Sequence, residues 1–307
     1  MDRKGVIIKM IFFIISMCWI NISYSQKSGF AESDGVKIHY RDFGNGTPIV
    51  LLSGGPGFTS DDLLHFVEKL KNKFRLILVD QRGTGKSNLE LIDSTTITLD
   101  NYVEDINNVR KHLKINEWIV LGHSWGGLLG MALTAKYPKN TSRLVLIGSM
   151  GIDTEHFGYA WDNVQYSIEE KENIKYWSNP EVKIQNPERA AYEMYSSLLP
   201  GRLYNKEAKR EILKNFVFEP NSFEIASLMF IHLKNLKYDL KPKLVDFKKP
   251  VLIIQGRQGF LGGWTAFTIF QTFPNCEIEF IEKCGHFPFE ERPMESYKVL
   301  NEFLNSF

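Results

Sequence analysis

Cysteine is scarce in this 307-residue chain: Cys18, Cys276 and Cys284 are all it has. No zinc-like spacing of Cys and His is present, and a disulfide-stapled fold is not expected. The run between Cys276 and Cys284 reads as an extended strand. At about 3.3 Å per residue it holds their Cα atoms well beyond the roughly 7 Å limit for a disulfide. They are expected to be separate thiols. An excess of charge is missing too. Lysine and arginine total 37 against 36 acidic residues, a formal net charge of +1, and the basic residues are spread along the chain. Nucleic acid and other polyanions are therefore not expected as partners. No internal repeat and no low-complexity segment occurs. Beyond the first 25 residues there is no long apolar run.

That first segment stands apart. Asp2-Arg3-Lys4 and Lys9 precede an apolar stretch from Met10 to Ile22, followed by Ser23-Tyr24-Ser25-Gln26. A charged start, a short apolar centre and small residues before a cut after Ser25 predict a signal peptide over residues 1–25, and hence export to a periplasm or the exterior. The rival is an uncleaved anchor, although the stretch falls short of the roughly 20 residues a spanning helix needs. Membrane contact is expected only if this segment is retained.

What is present is ample apolar material, 43% of residues, arranged in short runs that alternate with helical patterns. Strands are predicted at Lys37–Arg41, Ile49–Leu52, Arg75–Val79, Trp118–Leu121, Leu144–Ile147, Val251–Ile254 and Glu277–Glu282, with another near Gly29–Glu32. Helices fall between them. One spans about Asp61–Lys71, one carries Leu99, Val103, Ile106, Val109 and Leu113 on one face behind a Thr98 N-cap, and the last begins near Pro293. This is an α/β pattern: a mostly parallel sheet covered by helices on both faces. The alternation breaks over residues 151–249, a helical stretch rich in aromatics (Trp161, Tyr166, Trp177, Tyr192, Tyr195, Phe216, Phe223). It is read as a cap inserted after the sixth sheet strand, over a core made of residues 26–150 and 250–307.

Four segments carry chemistry. Gly122-His123-Ser124-Trp125-Gly126 follows the apolar run Trp118–Leu121. A sharp strand-to-helix turn there presents the Ser124 hydroxyl at the carboxyl end of the sheet, and only glycine fits the flanking crowded positions. Ser53-Gly54-Gly55-Pro56-Gly57 follows another strand. If Ser124 attacks a carbonyl, the backbone N–H groups of Gly55 and Trp125 are placed to receive the resulting oxyanion. Cys284-Gly285-His286-Phe287-Pro288 closes the last strand and offers His286 as the base. His123 is read as structural. The Gly83-Thr84-Gly85-Lys86-Ser87 ending resembles a phosphate loop, but the glycine that motif needs five positions before Gly85 is Asp80, so the segment is read as a structural loop beside the site.

Together, Gly54-Gly55-Pro56-Gly57, Asp80-Gln81-Arg82-Gly83-Thr84-Gly85, Gly122–Gly127 and Gly285-His286 resemble the α/β-hydrolase superfamily and, within it, the proline iminopeptidase family of serine peptidases. The resemblance implies an α/β-hydrolase fold and release of an amino-terminal residue, often proline, from a short peptide, with no metal or organic cofactor. An ester or other acyl substrate suits the same site. It further implies cap glutamates that hold the substrate amine, for which Glu193 and Glu224 are candidates. Two departures stand out. Ser53 replaces the family's usual histidine. More seriously, Gly259 stands where the family places the triad aspartate, a loss that in comparable triads costs on the order of 10⁴ in turnover. Three outcomes stay open: an acid from another loop, with Asp153 the candidate; a weak Ser–His dyad; or a hydrolase-fold binding protein that has lost catalysis.

Overall fold

A computed structural model describes residues 26–306 apart from 156 and 167, so the segment read as a signal peptide, with Cys18, lies outside the described residues. Eight strands form one sheet: β1 (Lys27–Ser33), β2 (Val36–Phe43), β3 (Thr47–Leu52), β4 (Phe74–Val79), β5 (Trp118–His123), β6 (Thr141–Ile147), β7 (Val251–Gly256) and β8 (Cys276–Ile281). Their order is β1-β2-β4-β3-β5-β6-β7-β8. The β1–β2 and β2–β4 pairs are antiparallel and the rest are parallel. Every strand read from the sequence is present, with ends shifted by up to three residues.

The central strands are buried on both faces, which is why they read as unbroken apolar runs. Their alternation still sorts the core into two layers. Val50, Leu52, Ile77, Val79 and Val120 face one side, against the helices Leu99–His112 and Trp125–Lys136. Ile49, Leu51, Leu76, Leu78, Leu121 and Ile254 face the other, against Leu64–Leu70 and Pro293–Asn305. Residues two apart share a face because successive side chains on a strand point opposite ways. Fully burying each such side chain contributes about 1.5–3 kcal/mol, so the layers hold the sheet rigidly.

Local signals account for the helix ends. Thr98 caps the Leu99–His112 helix, its hydroxyl accepting from Asn101 N–H at 3.2 Å. Pro293 opens the final helix, and Lys136 closes the helix that follows β5. The helix expected over Asp61–Lys71 begins instead as a 3₁₀ turn, Ser60–Leu63, before becoming α-helical at Leu64. Between β6 and β7 the chain is helical from 157 to 244, interrupted by short turns. This insertion packs an aromatic group (Tyr195, Phe216, Phe218) on Phe58 and Phe287 of the core. Cys276 and Cys284 are free thiols, as the spacing required.

Candidate active site

At the carboxyl end of β5 the chain turns sharply into the Trp125–Lys136 helix, and Ser124 takes φ +57° and ψ −117° at the corner. A non-glycine residue with positive φ is strained and persists only where its surroundings force it. They do so here. Ser124 N–H donates to the Ile147 carbonyl at 2.9 Å, and the Ser124 carbonyl accepts from Gly127 and Met150 at 3.0 Å each. A Cβ on Gly122 would stand 2.1 Å from the Gly126 carbonyl oxygen, and one on Gly126 2.0 Å from that of Leu52. Glycine is obligatory at both. Ser124 itself is partly exposed, so the hydroxyl is reachable.

The Gly54-Gly55 turn crosses above it. An ideal Cβ on Gly54 would lie 3.5 Å from Ser124 Cβ, and Gly55 has φ +114°. The Trp125 N–H sits in the first turn of its helix, where no intrahelical acceptor exists. The Gly54-Gly55 turn and the Trp125 N–H thus lie on either side of Ser124 in the chain's path.

Gln81 ties these pieces together. Its amide donates to the Ser53 carbonyl and hydroxyl, both at 3.0 Å, and its carbonyl accepts from the Trp125 indole at 2.7 Å. Ser53, which stands where a histidine was expected, is thus held in place. The rest of the Asp80–Ser87 segment is structural. Asp80 accepts from Ser60 and from the Lys86 amide and pairs with His39 at 2.8 Å. Arg82 forms a forked pair with Asp105, both contacts at 2.6 Å.

His286 is 99% buried, and its Nε2 lies 2.9 Å from Ser124 Oγ. The other ring nitrogen, Nδ1, is buried with no hydrogen-bond partner. Among the described residues no carboxylate backs it. Gly259 has no side chain to offer. Asp153, the candidate substitute, is engaged elsewhere: its carboxylate takes Lys241 Nζ at 2.6 Å and Glu155 N–H at 2.9 Å. The expectation that Asp153 supports His286 is not met, because Lys241, on the last short helix of the insertion, claims its charge. Burial, with His123 and Arg202 nearby, holds the His286 pKa well below the ordinary imidazole value.

Other groups position His286 by its backbone. His123 Nε2 donates to the His286 carbonyl at 3.1 Å, a structural use of that residue. His286 N–H donates to the Arg202 carbonyl of the insertion at 2.8 Å. Glu291, which the sequence reading passed over, accepts four backbone N–H groups: Gly285 and Phe287 on one oxygen, Tyr204 and Asn205 on the other. The signal was present only as an unremarked acid shortly after His286. Glu193 is half-buried and pairs with Arg189 at 3.7 Å, whereas Glu224 is exposed on the first turn of the Ser222–Leu236 helix. Neither makes a hydrogen bond or ion pair with Ser124, His286 or the Gly54-Gly55 turn. Glu219, not singled out by sequence, is the insertion's acid that reaches the core loops, accepting Gly85 N–H at 2.9 Å. Among the described residues no group of three or more His, Cys, Asp or Glu is placed to hold a metal ion.

The sequence profile of the alpha/beta hydrolase fold matches residues 47–293, and the chain belongs to that family. Within the family it is proline iminopeptidase-like. It is 28% identical to the proline iminopeptidase of Heyndrickxia coagulans, across 91% of this chain and 98% of that one. With the proline iminopeptidase of Clostridioides difficile (strain 630) the identity is 26%, at the same coverage. Among solved structures, the fold is shared with a thermophilic esterase from Thermogutta terrifontis (TM-score 0.68, 20% identity, 92% and 98% covered). It is shared also with a meta-cleavage product hydrolase from Pseudomonas fluorescens IP01 (TM-score 0.70, 22% identity, 93% and 99% covered).

Proposed function

We propose that this protein is a serine hydrolase of proline iminopeptidase type, releasing an amino-terminal residue from short peptides, with Ser124 as nucleophile and His286 as base. The observation that carries the reading is the 2.9 Å approach of Ser124 Oγ to His286 Nε2 on a strained elbow. His286 takes the hydroxyl proton as Oγ attacks the scissile carbonyl, and the oxyanion forms against the Gly55 and Trp125 N–H groups. The imidazolium then protonates the leaving amine. Water, deprotonated by the same imidazole, frees the acyl group from Ser124.

The orphaned Nδ1 limits this cycle. For Nε2 to accept, the proton must sit on Nδ1, where a buried unpartnered N–H costs about 1–3 kcal/mol. The opposite tautomer donates to Oγ and is useless as a base. The imidazolium is disfavoured as well, since no anion offsets its burial. Turnover is therefore expected to be slow. The same observation supports a second reading, an ester substrate, whose leaving alcohol needs less proton assistance than an amine.

Labelling by a neutral fluorophosphonate tests the chemistry. Ser124→Ala is expected to abolish labelling of the parent. An unlabelled parent would mean that the fold is kept for binding alone. Prolyl, alanyl and ester chromogenic substrates then separate peptidase from esterase. Export of the mature chain rests on residues 1–25 of the sequence and is tested by the amino-terminal sequence of the protein recovered from its native compartment.

A further inference from the structure

Resting on that reading of the site, we propose that Arg202 is a specificity residue that binds a carboxylate of the substrate, so that the preferred substrate is a short acyl compound with a free carboxylate near the scissile carbonyl, such as a dipeptide. Arg202 ends a short turn of the insertion, and its backbone carbonyl accepts the His286 N–H at 2.8 Å. Its guanidinium carbon lies 5.3 Å from the centroid of the Tyr195 ring and 5.4 Å from that of Phe260. Phe260 in turn packs on the His286 imidazole, with centroids 4.6 Å apart. A planar cation is thus wedged between two rings beside the base.

What it lacks is an anion. Arg41, Arg75 and Arg82 each have an aspartate at 2.6–2.8 Å. No carboxylate comes within ion-pair distance of Arg202 among the described residues, and its Nε is buried without a partner. The polar group it faces is the neutral phenol of Tyr195. Stacking on aromatic faces contributes about 0.5–2 kcal/mol, and the Tyr195 hydroxyl supplies a neutral acceptor, but neither meets the buried Nε or offsets the positive charge. The guanidinium edge matches a carboxylate in a two-pronged arrangement. The insertion thus brings a cation to His286, whereas Glu193 and Glu224, the acids expected to hold an amine, are respectively paired with Arg189 and exposed.

The test compares prolyl-alanine with prolyl-alaninamide on the full chain. The parent is expected to show a KM about 10- to 100-fold lower for the free carboxylate, the range of hydrogen bonds to a charged group. In Arg202→Gln the KM ratio should collapse toward one, and Arg202→Lys should keep part of it. Where turnover is too slow to follow, the two peptides are compared as protectors of Ser124 against fluorophosphonate. If Ser124 is not labelled at all, the hydrolase reading fails, and calorimetric binding of the same pair to the parent still reads the carboxylate preference. Equal KM, protection or affinity for acid and amide in the parent would overturn the proposal without any variant having to fold. So would a ratio unmoved by Arg202→Gln.

Discussion

At the scale of single residues, the decisive feature is the buried Nδ1 of His286, which has no hydrogen-bond partner. A carboxylate at position 259 would both fix the productive tautomer and stabilise the imidazolium. The site has nearly enough room: an ideal Cβ there would meet Gln255 Nε2 at 3.0 Å and the Gly256 and Gly285 carbonyl oxygens at 3.2 Å. Gln255 Nε2 is the far end of a side chain and can shift, but the two backbone carbonyls must also give by a few tenths of an ångström, at some cost in stability. Gly259→Asp is therefore expected to raise kcat/KM by roughly 10²–10⁴. It should also move the acid limb of the pH–rate profile upward. The reason is one of sign: burial now disfavours the imidazolium and holds the pKa low, whereas an adjacent carboxylate favours the charged form and lifts it. Kinetics from pH 4 to 9 on parent and variant read both effects. An unchanged limb would show that residue 259 does not face Nδ1.

At the scale of elements, Glu291 joins three pieces of chain. Its two oxygens fasten the Gly285–Phe287 loop after β8 to Tyr204 and Asn205 of the insertion. Burial pushes its pKa up, while those four N–H groups pull the other way. Glu291→Ala would strand buried donors at about 1–3 kcal/mol each. A loss of about 3 kcal/mol or more in denaturant unfolding is expected, with a slower fluorophosphonate reaction at Ser124 as His286 loosens. Glu291→Gln, which keeps one good acceptor oxygen, should fall between. If Glu291→Ala unfolds like the parent, the clamp contributes nothing and His286 is held by Arg202 and His123 alone.

At the scale of the whole molecule, a buried polar group beneath the site sets the pH response. Asp62, His65, His123 and Glu290 line a small void of about 10 Å³, room for a single water. Burial raises the Glu290 pKa from 4.5 to about 8, with Glu291 adding to the shift, and it raises that of Asp62 as well. His65, 3.8 Å from Glu290, is lowered to about 4 by burial, as is His123. The folded state thus keeps protons on its acids that the unfolded chain has already released near pH 4.5. Stability must fall as pH rises toward 8. Below pH 6.5 the two histidines bind protons more readily unfolded, which opposes the gain from the two acids and flattens the profile there. Thermal melts at pH 6.5 and 8 should show the parent losing melting temperature, and Glu290→Gln losing clearly less. An equal drop in both would place the alkaline sensitivity elsewhere.

Much of this architecture was legible in the chain itself. Buried strands must be apolar and short, so the central strands could be read from their runs. Thr98 and Pro293 mark helix starts because their own chemistry suits those positions. Ser124 was legible from its glycines: Gly122 is demanded by a contact within its own strand-turn-helix unit, and Gly126 by the close approach of Leu52 on the neighbouring strand. His286 follows from its place after the last strand, and the missing acid at Gly259 from the resemblance to proline iminopeptidases. What sequence could not supply were partnerships across the fold. Asp153 goes to Lys241, Glu291 rather than its neighbour holds the histidine loop, Gln81 bridges the oxyanion turn to the elbow, and Arg202 is laid beside His286. Backbone propensity and apolar periodicity are local and so are written in neighbouring letters. The choice of partner for a charge depends on which distant segment arrives within a few ångströms, and only packing of the insertion on the sheet decides that.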